Sequence, residues 1–154
     1  MNREILFKAK RKDNGKWVEG YYCKINETTY CVEEDYKRFP VPTHHYILVE
    51  TMTDWGLPNR FLQFEIDPDT LSQYTGLTDK NGNKIWENDI CDRKEKYPEI
   101  VVFNKGDWQL DYSYVFGKEI HTDACNLGFY VCERKCVEVI GNIFDNPELL
   151  EVKE

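Results

Sequence analysis

No stretch of the 154-residue chain approaches the roughly 20 consecutive apolar residues a membrane helix needs. The start, MNREILFKAKRK, alternates charge with hydrophobe and lacks the apolar core of a signal peptide. A protein working in the cytoplasm is therefore expected, and the sequon Asn26-Glu27-Thr28 carries no meaning there. The six cysteines (Cys23, Cys31, Cys91, Cys125, Cys132 and Cys136) include no C-x-x-C, so the usual pair of a zinc knuckle is missing. There is no phosphate-cradling glycine loop, no nucleophile elbow and no histidine pair at helical spacing. His44 and His45 are adjacent, and on a strand neighbours point to opposite faces, so they do not share a ligand role. These absences argue against an enzyme and against a bound metal or cofactor. Helical periodicity is also scarce.

Aromatic residues, carboxylates and turn signals are what the chain has in quantity. Hydrophobic residues make up 41% of it and aromatics 14%, enough to bury a core and of a kind that favours strands. The net charge of -8 is uneven: residues 1–60 carry ten Lys/Arg against nine Asp/Glu, and residues 61–154 carry ten against nineteen. An acidic body repels phosphate, which argues against general nucleic-acid binding. The basic start, with Arg3, Lys8, Lys10, Arg11, Lys12 and Lys16, reads first as a solvated face.

Segments of alternating pattern are punctuated by turns. EILFKAK, with Ile5, Phe7 and Ala9 on one face, reverses at Asp13-Asn14-Gly15 into KWVEGYYCK, since Asn-Gly is a strong hairpin signal. A second hairpin is expected in YYCKINETTYCVEE, turning at Asn26 to Thr28. Pro40 and Pro42 confine the next segment to an edge or loop until HYILVE. TMTDWGLPNR reads as a loop, and RFLQFEI as a strand. Asp67 and Pro68 then suit the cap and first position of a short helix to about Tyr74, stopped at Gly76. EIVVFNKGDWQLDYSYVF reads as two strands around NKGD. GFYVCERKCVEVIGNI reads as a hairpin turning at Glu133 to Lys135, and DNPELL as a final helical turn capped by Asn146. The sum is an all-β chain of short antiparallel strands, of barrel or sandwich type, with one or two short helical turns.

The segment QYTGLTDKNGNKIWENDI poses a choice between a calcium loop and a tight turn. Counted from Asp79, an EF-hand loop would need Gly at the sixth position and Glu at the twelfth; this chain has Lys84 and Ile90. Asn81-Gly82 is therefore expected to be a hairpin turn, with Asp79 bonding the backbone beside it. In IWENDIC, Asn88 or Asp89 suits positive φ, like the bend of small barrels of the Src-homology-3 type. Residues four apart on one strand lie about 13 Å apart, so His121, Cys125, Cys132 and Cys136 could share an ion only across a turn. Hairpins would set Cys23 opposite Cys31 and Cys132 opposite Cys136, but free thiols packed as small hydrophobes are the better expectation. The tryptophans Trp55, Trp86 and Trp108 neighbour acids, which points to core or protein contact more than to base stacking.

Three blocks, REILFKAKRKDNGKWVEGYY, EIDPDTLSQYTGLTDKNGNKIWENDI and EVIGNIFDNPELL, resemble the YopX family of bacteriophage and prophage proteins. The middle block carries most of the resemblance. The chain departs from the family pattern at Asn88, where glycine is usual, and at Lys10, where an aromatic is common. The resemblance implies a mainly-β protein built around small barrels and encoded in phage or integrated elements. It implies no established activity and no catalytic residue.

The expectation is one unit over 1–154, divisible into an N-terminal β part (1–66) and a C-terminal barrel part (67–154). The function expected is that of a non-enzymatic accessory protein that binds a host or phage protein or a second copy of itself, with Gln73, Tyr74 and Trp86 as the surface. The alternative is a single-stranded nucleic-acid binder using the first hairpin with Trp17, Tyr21 and Tyr22. The positions expected to hold turns are Asn14, Gly15, Gly76, Asn81 and Gly82.

Overall fold

The computed structural model describes residues 1–116 and 125–151. The chain divides into two compact units: one is Ile5–Leu71, and the other is Met1–Glu4 with Ser72–Glu154.

The first unit contains β1 (Phe7–Lys10), β2 (Trp17–Asn26), α1 (Glu33–Arg38), β3 (Thr43–Thr51), β4 (Arg60–Glu65) and a 3-10 turn at Pro68–Thr70. Its strands are antiparallel in the order β4-β3-β2-β1. Alternation along the strands sends Ala9, Ile47 and Ile66 inward, all fully buried, with Phe7, Val18, Tyr22, Val49 and Leu71 packed on them. Each buried Ile is worth roughly 1.5–3 kcal/mol, so this small cluster is the main apolar contribution of the unit. Just past β4, Ile66 bridges to Arg11. Lys12 N donates to Glu65 O at 3.0 Å and Asp67 N to Lys10 O at 2.9 Å. The end of β4 thus curls onto β1 through a single bridge.

The second unit contains β5 (Ser72–Thr78), β6 (Lys84–Trp86), β7 (Asp89–Asp92), β8 (Glu99–Asn104), β9 (Asp107–Asp111), α2 (Ser113–Phe116), β10 (Cys125–Asn126), a π-type turn at Phe129–Glu133, β11 (Glu138–Asn142) and a 3-10 turn at Pro147–Leu150. Strands β5 and β6 form a hairpin, and the other strands form an antiparallel sheet in the order β10-β9-β8-β7-β11. Ile85, Cys91, Val101, Leu110, Leu127 and Val137 make its core. The protein is mostly β, but among the described residues neither sheet closes, so the expected Src-homology-3 type of barrel is not reproduced.

Several local expectations are corrected. The segment after Asn26 does not return as a strand. It becomes the helix α1, whose first turn carries Glu33, Glu34 and Asp35 and whose last carries Lys37 and Arg38, the charge order a helix dipole favours. β3 takes the place beside β2 instead, so Cys23 faces Tyr46 rather than Cys31. The helix expected from Pro68 to about Tyr74 ends after one turn at Thr70: Asp67 accepts from Asp69 N as a cap, and the chain then extends as β5. Gly76 (φ +84) stops no helix; it lies where the β5–β6 register shifts, a bulge only glycine enters at no cost. Phe129–Glu133 is helical, so Cys132 and Cys136 do not face each other across a hairpin. All six cysteines are free thiols. Asn146 makes no side-chain cap bond to the last turn.

Candidate functional site

The turn expected at Asn81-Gly82 is formed, with Asp79 bonding the backbone beside it. Gly82 N donates to Asp79 O at 3.0 Å and Asp79 N to Asn83 O at 2.8 Å. Gly82 is the residue at positive φ (+84), whereas Asn81 is not. This is a three-residue hairpin connection with glycine at the left-handed position. The first hairpin closes between Arg11 and Lys16, and there too the glycine, Gly15 (φ +69), and not Asn14 takes positive φ. The Asp79 carboxylate is buried and fully used: Oδ1 accepts from Asn81 N and Asn83 N, both at 2.9 Å. Oδ2 accepts from Val139 N at 3.1 Å and from Asn83 Nδ2 at 3.3 Å. Burial pushes its pKa up, but the N–H groups of Val139, Asn83 and Asn81 outweigh this and hold it below the ordinary carboxylate value. Lys80 pairs with Glu138 alongside. The loop is a clasp onto β11, with its carboxylate oxygens committed to the chain.

Gln73, Tyr74 and Trp86 are brought together by the β5–β6 hairpin. Tyr74 stands opposite Trp86, ring centroids 5.4 Å apart, and Lys84 Nζ lies 5.6 and 5.8 Å from the two rings. Gln73 bonds the Glu87 backbone and carboxylate at 2.9 and 3.3 Å. Trp86 is only 4% exposed, so its ring serves packing and offers little surface. Asn88 takes positive φ (+67) at the bend between β6 and β7, where its side chain donates to Ser72 Oγ at 3.2 Å.

The most exposed aromatic side chain among the described residues lies on the first unit. The connection from β3 to β4 carries Met52, Trp55 and Leu57, all exposed, Trp55 at 96%. Leu57 N donates to Asp54 O at 3.1 Å, and Gly56 has φ +80, a type II turn with Trp55 at its first corner. Thr53 Oγ1 to Pro58 O at 3.0 Å and Asn59 Nδ2 to Glu50 Oε1 at 2.9 Å fasten its base. Beside it Phe61 (53% exposed) meets Tyr21 edge-on at 5.9 Å. Sequence reasoning missed this surface because TMTDWGLPNR reads only as a loop. The available signal was three large apolar residues inside a turn-rich segment that contributes nothing to periodic core.

The basic first hairpin is divided by the pleat. Lys8 and Lys10 lie 5.1 and 5.5 Å from the Trp17 ring, and Tyr21 shares that face. Tyr22 lies on the other face, where its hydroxyl meets His45 Nδ1 at 2.7 Å. His44 lies with its Nδ1 2.9 Å from Glu65 and its Nε2 3.4 Å from Glu27, and these carboxylates raise its pKa. A cleft of about 160 Å³ between Arg93, Glu99, Tyr97 and Tyr112 is smaller than typical ligand pockets. Of the two cations that line it, Arg93 and Lys96, Arg93 is already paired, holding the buried Glu99 in two bonds of 2.6 and 2.9 Å. Among the described residues no three His, Cys, Asp or Glu side chains gather as metal ligands would; His121 lies outside them.

Among the described residues no helix is long and apolar enough to cross a membrane. The crystal structure of protein EF1440 from Enterococcus faecalis is similar to this chain, with a TM-score of 0.54 at 20% identity over 97% of this chain and 100% of that one. At that identity the likeness concerns the fold alone. No relative is found among curated proteins. The profile of the family described as YopX protein matches residues 6–151, which covers most of both units and, apart from residues 3–5, all three sequence blocks. By this match over nearly its whole length, the chain belongs to the YopX family.

Proposed function

We propose that this chain is a non-enzymatic accessory protein of phage or prophage origin that acts in the bacterial host cell by binding another protein, self-association included. The observation that supports this most is the β3–β4 tip. A fastened type II turn holds Trp55 out in solvent, with Met52 and Leu57 around it and Phe61 beside it. Exposing that much apolar surface is unfavourable unless something covers it, and aromatic and Met side chains are enriched where proteins meet. The turn is already ordered, so binding would cost little conformational entropy.

The test is a pull-down from bacterial host lysate after nuclease treatment, comparing the wild type with Trp55→Ser. A protein retained by the wild type and lost from the variant is the expected result. Equal recovery by both would remove the tip from the reading. The Lys8–Trp17–Lys10 ladder favours a second reading, single-strand nucleic-acid binding. That reading requires affinity that falls steeply with salt and with charge reversal at Lys8, Lys10 and Lys12.

A further inference from the structure

We propose that β4 is the pairing edge for a second copy of this chain, joined antiparallel about a two-fold axis at Leu62; this rests on the protein-binding reading above and names its partner. Ile66 N donates to His45 O at 2.9 Å, which makes His45–Ile66 a hydrogen-bonded pair. By the alternation of antiparallel ladders, Phe64, Leu62 and Arg60 also turn their backbone groups toward β3. Phe61, Gln63 and Glu65 turn theirs away. Glu65 O is taken by Lys12 N, because the end of β4 curls onto β1. Among the described residues, the outward N–H and C=O groups of Phe61 and Gln63 have no backbone partner.

Natural edges are protected by Pro, Lys, bulges or covering segments. β4 (RFLQFE) has no Pro or Lys, its register to β3 is unbroken, and Leu62 is 49% exposed. The edge at β11 is managed differently: Val139 N on it is taken by Asp79, and Val137 O accepts from Lys80 N.

A two-fold axis at Leu62 pairs Phe61 with Gln63 of the second copy, and Gln63 with its Phe61. All four outward groups on each chain are then satisfied, and the two Leu62 side chains meet in a non-hydrogen-bonded pair, the closer kind. Pairing stops where Lys12 of the second copy already holds its Glu65. The same rotation directs the β3–β4 tip, with Glu50 and Asp54, toward the Arg11, Lys12 and Lys16 end of the other copy. Arg11 and Lys12 there are already paired with Asp13 and Glu65 of their own chain, and Arg60 comes to lie opposite Phe64 of the second copy beneath its Arg11, so the backbone pairing and not charge attraction carries the contact.

The experiment is light-scattering mass after size exclusion of the full chain at about 100 µM. Wild type should run at twice 18.4 kDa. Gln63→Pro removes an N–H with no intrachain partner, and Leu62→Lys sets two ammonium groups against each other at the axis. Each should weaken the dimer by about tenfold or more while circular dichroism stays unchanged. If Gln63→Pro misfolds, Leu62→Lys alone decides. A monomeric wild type, or folded variants that dimerise as well as wild type, would overturn the proposal. A monomer that still captures a protein through Trp55 overturns the self-pairing but keeps the broader reading. A monomer that captures nothing sinks both.

Discussion

Replacing Asp79 by asparagine isolates the clasp between the β5–β6 turn and β11. The asparagine side chain keeps one carbonyl oxygen, which can still accept from Asn81 N and Asn83 N as Oδ1 does at 2.9 Å. Its amide group then faces Val139 N, donor against donor, where Oδ2 accepts at 3.1 Å. Two hydrogen bonds to the carboxylate are lost, from Val139 N and the longer one of 3.3 Å from Asn83 Nδ2, and the Val139 N–H is left without an acceptor, a cost of about 2 kcal/mol. Alanine strands three backbone N–H groups and should cost about 3–4 kcal/mol. For a chain of this length the asparagine cost corresponds to a Tm lower by roughly 4–8 °C. Thermal unfolding followed by circular dichroism measures this, and amide exchange at Val139 locates it. The folded pKa of Asp79 is depressed, so its stabilisation is full above the ordinary value of 3.8 and disappears as pH falls through the lower folded value. The gap between wild type and Asp79→Asn should therefore hold at neutral pH and close in acid below that range. A Tm change under about 1 °C with unchanged exchange at Val139 would refute the reasoning.

Four further outcomes are expected. Glu99→Gln should cost about 3 kcal/mol in denaturant unfolding because it leaves the largely buried Arg93 with only the exposed Glu95, at 3.6 Å, as counter-charge, whereas Arg93→Met with Glu99→Met should recover most of that. His44, its pKa raised by Glu65 and Glu27, contributes stability that is full below its ordinary value of 6.5 and is lost as pH rises through the higher folded value. Wild-type Tm should fall across that window and His44→Gln should not follow. Gly20→Ala should destabilise by about 3 kcal/mol or more, because the added Cβ would sit 2.1 Å from the Leu48 carbonyl oxygen on the paired strand. Trp55→Ser should leave Tm within about 1 °C, since the ring is almost wholly exposed.

Turn chemistry was the most readable part of the chain. Asn-Lys-Gly-Asp gave a two-residue turn with Lys105 and Gly106 both at positive φ, joining β8 to β9. Asp67-Pro68 gave a capped turn. What followed such signals was less readable, because a local stop sign does not reveal the next partner. Gly76 serves equally as a helix terminator and as a bulge, and only its pairing with β6 decides. VEEDYKR has too few residues for helical periodicity, and its charge order alone marks α1. Phe129–Glu133 is rich in strand formers yet helical, a case of tertiary context overriding propensity. At the site, the sequence gives Trp86 and Trp55 similar acidic neighbours. One packs on Tyr74 and the other stands in solvent, and only the placement of Trp55 in a turn-rich loop hints at the difference before the fold is seen.

The Asp79–Val139 bond also sets an order of events during synthesis. Sixty residues separate its two ends, so the carboxylate waits for an N–H that leaves the ribosome much later. Every strand pair of the Ile5–Leu71 unit, by contrast, is available once Leu71 has emerged. Met1–Glu4 precede the Ile5–Leu71 unit in the chain yet group with the unit that follows it. Nascent chains should thus carry one assembled unit and one incomplete unit until β11 appears, and stalling before Glu138 would leave a buried-site carboxylate without its final donor.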